Sequence, residues 1–234
     1  MVVKTIKITF LLIIGILNLS FSFDQTTQKT LGVVRKAINK VEKKSIESDW
    51  IKAEKGTPLF SQDQMRTGKK SVAIIKFTDN SILRVLENSE LILLGDRSNR
   101  KNVNNIKILK GFFGFDIIKL QNEQYTFESP TSVASIRGTR GVFSHQDELD
   151  ILILLEGVVN IKNIPSGQET DVKAGEICFS YSDGKFEVRK ATEDEIKGTE
   201  NNLILGEQQK DNELKLELKD KEGNKKELKL KYKE

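Results

Sequence analysis

The chain has 234 residues, of which 37% are hydrophobic and 31% charged, and its formal net charge is +4. This length fits one sizeable domain with extensions or two small ones. Lysine and glutamate are interspersed, so no stretch gathers the positive charge that a nucleic-acid backbone requires. Cys178 is the single cysteine and His145 the single histidine, which excludes an internal disulfide and argues against zinc sites and hydrolase triads. With no phosphate loop or dinucleotide fingerprint either, we expect no metal, no cofactor and no nucleic-acid partner.

The N-terminal residues 1–22 have the three parts of a secretory signal peptide. Lys4 and Lys7 precede an apolar run over 8–19, and small serines stand at −3 and −1 of a cleavage site before Phe23. A retained membrane anchor is the alternative, because the wider stretch is long enough to approach a bilayer span. The strictly apolar core is short for a span, which favours cleavage and a mature protein in the periplasm or at the cell surface. Membrane contact is expected only if the segment is retained.

From residue 32 to 189 the dominant hydrophobic period is two. Short apolar runs are separated by Gly, Asn, Asp and Pro at intervals of roughly ten residues, which is typical of an all-β sandwich, roll or solenoid-like stack. Asp79, Asn80 and Ser81 lie between two such runs and predict a tight turn, because Asn tolerates left-handed backbone. We therefore predict an all-β domain of mostly antiparallel strands in a layered or solenoid-like arrangement, preceded by a linker over 23–31.

Two segments of this region resemble each other weakly. ILKGFFGFDI and LLEGVVNIKN share an apolar–charged–Gly–apolar pattern, with Gly111 and Gly157 in corresponding places. Stacked β layers produce such an echo, and we expect each glycine to mark a bend or bulge at a layer edge.

The two flanks of the core differ in pattern. The lysine- and glutamate-rich stretch over 35–56 favours an edge strand or hairpin. After the core, Thr192 and Glu195 have capping-box spacing, which predicts a short helix from about Glu193 within a helix and linker region over 190–209.

The C-terminal segment 210–234 is striped. Apolar residues alternate with charged ones on both sides of a Gly-Asn turn, and they are Leu214, Leu216, Leu218, Leu228, Leu230 and Tyr232. Period two favours a hairpin with one apolar face, although Glu, Lys and Leu are also good helix formers. On a helix the first two leucines would lie about 200° apart and form no stripe. An isolated two-stranded ribbon is marginal in water, so these six residues are the candidate contact site for the main domain or a partner.

The stretch ESPTSVASIRGTRGVF predicts a sharp corner between strands. Pro130 removes a ladder donor and ends the preceding strand. Gly138 and Gly141 allow positive φ or close backbone approach on either side of Thr139. Arg137 is placed to donate hydrogen bonds to the carbonyls that the corner leaves unpaired, with a ligand-clamping role as the alternative. Arg140 is expected to be exposed.

Several motifs of the core resemble the FecR domain family, the periplasmic regulator domain of ferric-citrate signalling and its relatives. SPTSVASIRGT resembles the family's strand end and Arg-Gly-Thr corner, GTPLFSQDQMRTG its Thr-Gly turn with Thr67 and Gly68, and SVAIIKFTDNSILRV its strand pair with Asp79 and Ser81. LKGFFGFDI, LLEGVVNI and VKAGEI match later pieces, so the resemblance covers about 32–189. Gln62 and Asn80 stand where the family usually has glycine.

The resemblance also sets a limit on function. Members that control a sigma factor carry a cytoplasmic domain ahead of their membrane helix, whereas seven residues precede the apolar run here. We therefore expect that the anti-sigma role does not carry over.

Few residues of the sequence are candidates for metal binding or nucleophilic catalysis. His145, Asp147, Glu148 and Asp150 cluster in SHQDELD, where a weak cation site is possible but a solvated hairpin tip is favoured, because no calcium-loop spacing is present. Cys178 lies in an alternating strand and is expected to be packed rather than nucleophilic.

Together these observations predict an exported, non-enzymatic module for sensing, signalling or protein binding in the cell envelope, with another envelope protein as its partner. Two alternatives stay open. One is a membrane-anchored signalling component paired with a separate cytoplasmic protein. The other is a polysaccharide-binding or polysaccharide-cleaving β domain, for which Trp50 and three tyrosines offer few stacking platforms.

Overall fold

The computed structural model describes residues 29–96, 102–121 and 123–205, together with the backbone of two C-terminal strands over 212–219 and 225–232. The predicted signal peptide lies outside the described residues. No described helix is long and apolar enough to cross a membrane. The strands are β1 Gly32–Ile38, β2 Val41–Lys44, β3 Ile51–Lys52, β4 Pro58–Leu59, β5 Gln64–Thr67, β6 Val72–Phe77, β7 Ile82–Val85, β8 Glu90–Asp96, β9 Asn102–Ile117, β10 Glu123–Glu128, β11 Ser132–Ile136, β12 Thr139–Gln146, β13 Leu149–Glu156, β14 Val158–Asn163, β15 Glu169–Lys173, β16 Glu176–Tyr181, β17 Phe186–Lys190, β18 Asn212–Lys219 and β19 Lys225–Tyr232. The helix α1 is Glu193–Ile204.

Strands β1 to β17 form one hydrogen-bonded system that folds into two layers. The first layer has the order β4-β1-β6-β7-β9-β12-β13-β16-β17. The second has the order β3-β2-β5-β8-β9-β10-β11-β14-β15. Only the pairing of β9 with β10 is parallel among these. The predicted all-β, layered and mostly antiparallel architecture is confirmed.

Strand β9 belongs to both layers, and it changes layer at a glycine. Its first half pairs with β8 and β10, and its second half pairs with β7 and β12. Gly111 lies at the crossing with φ of +109°. Gly157, with φ of +86°, lies between β13 of the first layer and β14 of the second. The echo between the two glycine segments therefore reflects two crossings between the layers, as the sequence predicted.

The core lies between the layers and is rich in phenylalanine. Phe115 and Phe143 of the first layer contact Phe127 of the second edge to face, with ring centroids 5.2 and 6.0 Å apart. Phe77 contacts Tyr125 in the same way at 5.3 Å. Such rings stabilise a fold both by the apolar area they remove from water and by their edge-to-face geometry.

Helix α1 covers part of the outer face of the first layer. Thr192 and Glu195 form the predicted capping box, and the helix begins at Glu193 as expected. Leu203 is buried, and its Cδ2 would lie 3.0 Å from a Cβ on Gly114, so the missing side chain of β9 lets the helix approach closely. Arg189 of β17 fixes the start of the helix through two hydrogen bonds to the Glu195 carboxylate, at 2.9 and 2.7 Å.

The N-terminal part of the core differs from its sequence-based prediction. The stretch over 35–56 contributes β2 and the edge strand β3, but it also contains most of β1, which lies inside the first layer between β4 and β6. Leu31, assigned to a linker, is buried and its amide donates to the Leu59 carbonyl at 2.8 Å. The folded domain therefore begins before residue 32, because this leucine completes the core under the start of β1.

Candidate functional site

The Arg-Gly-Thr stretch forms the connection from β11 in the second layer to β12 in the first. Gly138 has φ of +64°, and a Cβ there would lie 2.5 Å from the Cβ of Lys119. Gly141 lies at a register shift in the pairing of β12 with β13, where a Cβ would lie 3.0 Å from Leu154. Thr139, between the two glycines, is buried. The first glycine is thus needed for backbone conformation and the second for space.

Arg137 does not stabilise this corner in the way that its position suggested. Ile136, the last residue of β11, is buried, whereas Arg137 lies in the bend between β11 and β12 and is exposed. Among the described residues, no carbonyl accepts a hydrogen bond from its guanidinium group, because Thr139 and its neighbours pair with β9 instead. The prediction that Arg137 satisfies corner carbonyls is therefore wrong. Arg140 is half-buried rather than exposed, and its Nη1 lies 3.7 Å from a carboxylate oxygen of Glu156.

A buried group of polar side chains lies beside the Pro130 turn, and we call it the Asp150 cluster: Ser129, Ser132, His145 and Asp150. One carboxylate oxygen of Asp150 accepts hydrogen bonds from both serine hydroxyls, and the other lies 2.7 Å from His145 Nδ1. The Ser129 hydroxyl also accepts the amides of Thr131 at 3.0 Å and Ser132 at 2.9 Å. The cluster joins the β10–β11 turn of the second layer to the β12–β13 hairpin of the first.

This arrangement corrects the interpretation of SHQDELD as a solvated tip. His145 and Asp150 are opposite each other in the hairpin register and both are buried. Asp147 and Glu148 do form the exposed tip, with φ of +46° and +66°. His145 and Asp150 are thus in the core, whereas Asp147 and Glu148 are exposed to solvent because the turn of the hairpin lies at these two residues.

The chemistry of the Asp150 cluster is that of a structural network. Both serines donate to the carboxylate and neither is hydrogen-bonded to the imidazole, so the cluster lacks the contact between a serine hydroxyl and a histidine that a Ser–His–Asp triad uses. Cys178 is also buried nearby, and burial together with the charge of Asp150 raises the pKa of its thiol to about 12. Within the described ranges no three His, Cys, Asp or Glu residues form a group that would hold a metal ion.

The Thr67-Gly68 turn connects β5 to β6, and hydrogen bonds of its side chain and backbone hold it against neighbouring turns. The Thr67 hydroxyl donates to the Leu86 carbonyl and accepts the Ser89 amide at 3.0 Å. The Gly68 amide donates to the Lys40 carbonyl at 2.9 Å. These bonds tie together three neighbouring turns at one end of the layers.

The Asp79-Ser81 turn is fixed in a similar way. The Asp79 carboxylate accepts hydrogen bonds from the Ser81 amide and hydroxyl, both at 2.9 Å, and from the Tyr125 hydroxyl at 3.0 Å. Asn80 has φ of +70°, and Gln62 has φ of +73°. The two positions where glycine was expected from the family pattern thus adopt the left-handed conformation that favours glycine.

One surface groove, of about 650 Å³, is lined by Ile92, Leu94 and Val103 together with polar residues. Another groove, of about 420 Å³, lies at the end of α1 beside Phe112 and Leu205. The Arg66 guanidinium lies 4.1 Å from the centroid of the Trp50 ring and covers one of its two faces. That face is therefore not open for stacking on a sugar.

The C-terminal segment forms a hairpin of β18 and β19, as period two predicted, and we refer to it as the C-terminal hairpin. Its register places Leu214 opposite Leu230 and Leu216 opposite Leu228. Leu218 falls opposite Lys226 and Tyr232 opposite Asn212, so the apolar stripe is matched only in its centre. The partner-binding role of these positions stays a prediction.

Comparison with known proteins finds one family model that matches the part of the chain with the motif residues. Residues 63–160 match the family model described as FecR protein. The chain is similar to this family over these residues. Every motif residue from Thr67 to Gly141 lies within that match, whereas α1 and the C-terminal hairpin lie beyond it. No curated protein matches the sequence.

Solved structures show the same fold at low sequence identity. Two crystal structures of a "putative anti-sigma factor" from Parabacteroides distasonis ATCC 8503, at 1.65 and 2.50 Å, are similar with TM-scores of 0.50 and 0.51 and 8% identity. The alignments cover 57% and 65% of this chain, and 62% and 66% of the other chains. This chain therefore spans less than two thirds of the length of either, and the likeness concerns the fold alone.

Proposed function

We propose that this chain is an exported, non-enzymatic regulatory module that binds another protein of the cell envelope through its C-terminal hairpin. The observation that carries the proposal is the hairpin register, in which two Leu–Leu pairs occupy adjacent same-face positions of a two-stranded ribbon. Such a ribbon is marginal alone, and its apolar positions gain stability when something covers them.

The FecR domain supports a regulatory role rather than catalysis. Its motif residues are occupied with turns and layer crossings, and its one buried Ser–His–Asp group has both hydroxyls bound to the carboxylate. A module of this kind exerts its effect by contact with a partner. The polysaccharide-binding alternative is less well supported, because Tyr125 is buried and the Trp50 ring is covered by Arg66 on one face.

Affinity capture from envelope extracts tests the proposal. The full chain is compared with a variant lacking residues 210–234, and we expect a defined protein partner only with the intact chain. The pair L214S/L230S removes one opposed leucine pair, and K215S/K229S is its matched control at the neighbouring pair of positions. Capture should be lost in the first variant and kept in the second. Glycan binding without a protein partner would contradict the proposal.

Export is tested separately by mass spectrometry of the protein from its native cell. We expect a mature N-terminus near Phe23. An intact Met1 in membrane fractions would support the membrane-anchored signalling component instead.

A further inference from the structure

The C-terminal hairpin opposes like charges in its own register. Three cross-strand pairs of equal sign lie between β18 and β19, and they are Lys215–Lys229, Glu217–Glu227 and Lys219–Lys225. Like charges directly opposite one another destabilise an antiparallel pair. Three of the four charged positions of β18 are therefore opposite a like charge, and only Glu213 is opposite the other sign, at Lys231.

The same positions of β18 are matched by a second copy of β18. Its charges alternate in sign along the strand, from Glu213 to Lys219. When two such strands run antiparallel about Leu216, Glu213 falls opposite Lys219 of the second copy, and Lys215 opposite Glu217. The leucine positions also coincide, since Leu216 falls opposite its own equivalent. Every charged position in this stretch is then opposite the other sign and every leucine is opposite a leucine.

We propose that two copies of the chain associate by pairing β18 with β18 about a two-fold axis at Leu216. Among the described strands β18 is hydrogen-bonded only to β19, so its other edge is open to such an addition. The result is a four-stranded sheet in the order β19-β18-β18-β19, which exceeds the marginal size of a two-stranded ribbon. The interface is isologous, as two-fold symmetry requires.

Strand β19 does not offer the same self-match. Antiparallel pairing about Lys229 sets this lysine against its own equivalent, and pairing about Leu228 sets Lys226 against Leu230 of the second copy. Of the two strands, only β18 has charges that alternate in sign so that it matches a second copy of itself. We therefore expect the two copies to meet at the edge of β18 and not at the edge of β19.

This inference shares its segment with the proposed function but uses a different part of it. The edge of β18 pairs the copies, and the leucine positions of the resulting sheet remain for the envelope partner. A dimer without any captured partner would contradict only the proposed function. A monomer that still captures a partner would contradict only the two-fold pairing.

Cysteine cross-linking of the full chain tests the position of the axis. L216C places a thiol opposite its own equivalent, at a Cα separation of about 4.5–5.5 Å that suits a disulfide. Under mild oxidation we expect L216C to give a covalent dimer, and L214C none, since Leu214 falls opposite Leu218. A mixture of L214C and L218C should again cross-link. Cys178 is buried and should stay out of the reaction. Equal cross-linking of L214C and L216C alone would overturn the proposed register.

Charge exchange tests the pairing energy by sedimentation equilibrium of the full chain. K215E and E217K each set like charges together twice across the axis, and we expect each to weaken dimerisation by about tenfold or more. The double variant K215E/E217K restores opposite signs and should return to within about threefold of wild type.

Both single variants improve the charge match inside the hairpin, since K215E is then opposite Lys229 and E217K opposite Glu227. Weaker association therefore cannot be attributed to a damaged hairpin. K229E is the matched control that changes only the internal pair, and it should leave the dimer intact. Single variants that dimerise like wild type, or a wild-type chain that stays monomeric, would overturn the proposal.

Discussion

The Asp150 cluster and the C-terminal hairpin differ in how their charged residues are paired within the chain. In the cluster a buried carboxylate accepts hydrogen bonds from two serines and pairs with a histidine, all from neighbouring turns of the same domain. In the hairpin, three of the four charged positions of β18 are opposite a residue of the same sign. Polar groups that hydrogen-bond to one another within the chain stabilise its fold, whereas the like charges opposed within the hairpin are the basis of our proposal that a second copy pairs with β18.

The largest expected effect on the domain is at the layer crossing of β9. G111A introduces a Cβ 2.5 Å from the Ser89 Cα at a φ of +109°, and we expect a loss of about 4 kcal/mol in the free energy of unfolding. Gly167 also has positive φ, but nothing lies within 4 Å of its added Cβ. G167A should therefore cost only about 1 kcal/mol. Equal losses in urea denaturation would mean that space at the crossing is not what requires glycine.

The Asp150 cluster should be the next most sensitive. D150N replaces a charged acceptor of three partners by an amide and should cost about 3 kcal/mol, because the buried hydroxyls lose their charge-assisted bonds. D147N, at the exposed tip of the same hairpin, should change stability by less than about 0.5 kcal/mol. Thermal unfolding of both variants checks the contrast, and a small effect of D150N would show that the cluster does not join the layers.

Attachment of α1 should depend weakly on pH. Hydrogen bonds from Arg189 and from the Thr192 amide lower the pKa of Glu195 from its usual 4.5 to about 2. A carboxylate with a lowered folded-state pKa stabilises the fold above pH 4.5, and this contribution is lost as the pH falls toward 2. The side chain is 29% exposed, so solvent screening keeps the effect under about 1 kcal/mol. E195Q should unfold more easily than wild type at pH 7 and equally at about pH 2; a constant difference would contradict this origin.

Arg137 should have the smallest effect on stability. R137A removes an exposed side chain that bonds to no described carbonyl, so we expect a change below about 0.5 kcal/mol. R66A is the matched control, because Arg66 lies over the Trp50 ring and pairs with Glu42 at 2.7 Å. A larger loss from R137A than from R66A in chemical denaturation would restore the structural role that the sequence first suggested.

Local signals predicted much of this molecule. Period-two patterning gave the strands, the Thr192–Glu195 spacing gave the start of α1, and Gly111 and Gly157 marked two layer crossings. The burial of His145 and Asp150 could not be predicted, because it depends on contact with serines from another turn, 18 or more residues away. The exposure of Arg137 could not be predicted either, because it depends on where β11 ends and the bend before β12 begins.

Removal of residues 210–234 tests the central division between a self-sufficient domain and an interacting hairpin. The melting temperature of the remaining chain and its capture of an envelope protein are measured on the same preparation. We expect an unchanged melting temperature together with loss of the captured partner. A lower melting temperature, or capture that survives the deletion, would contradict the account.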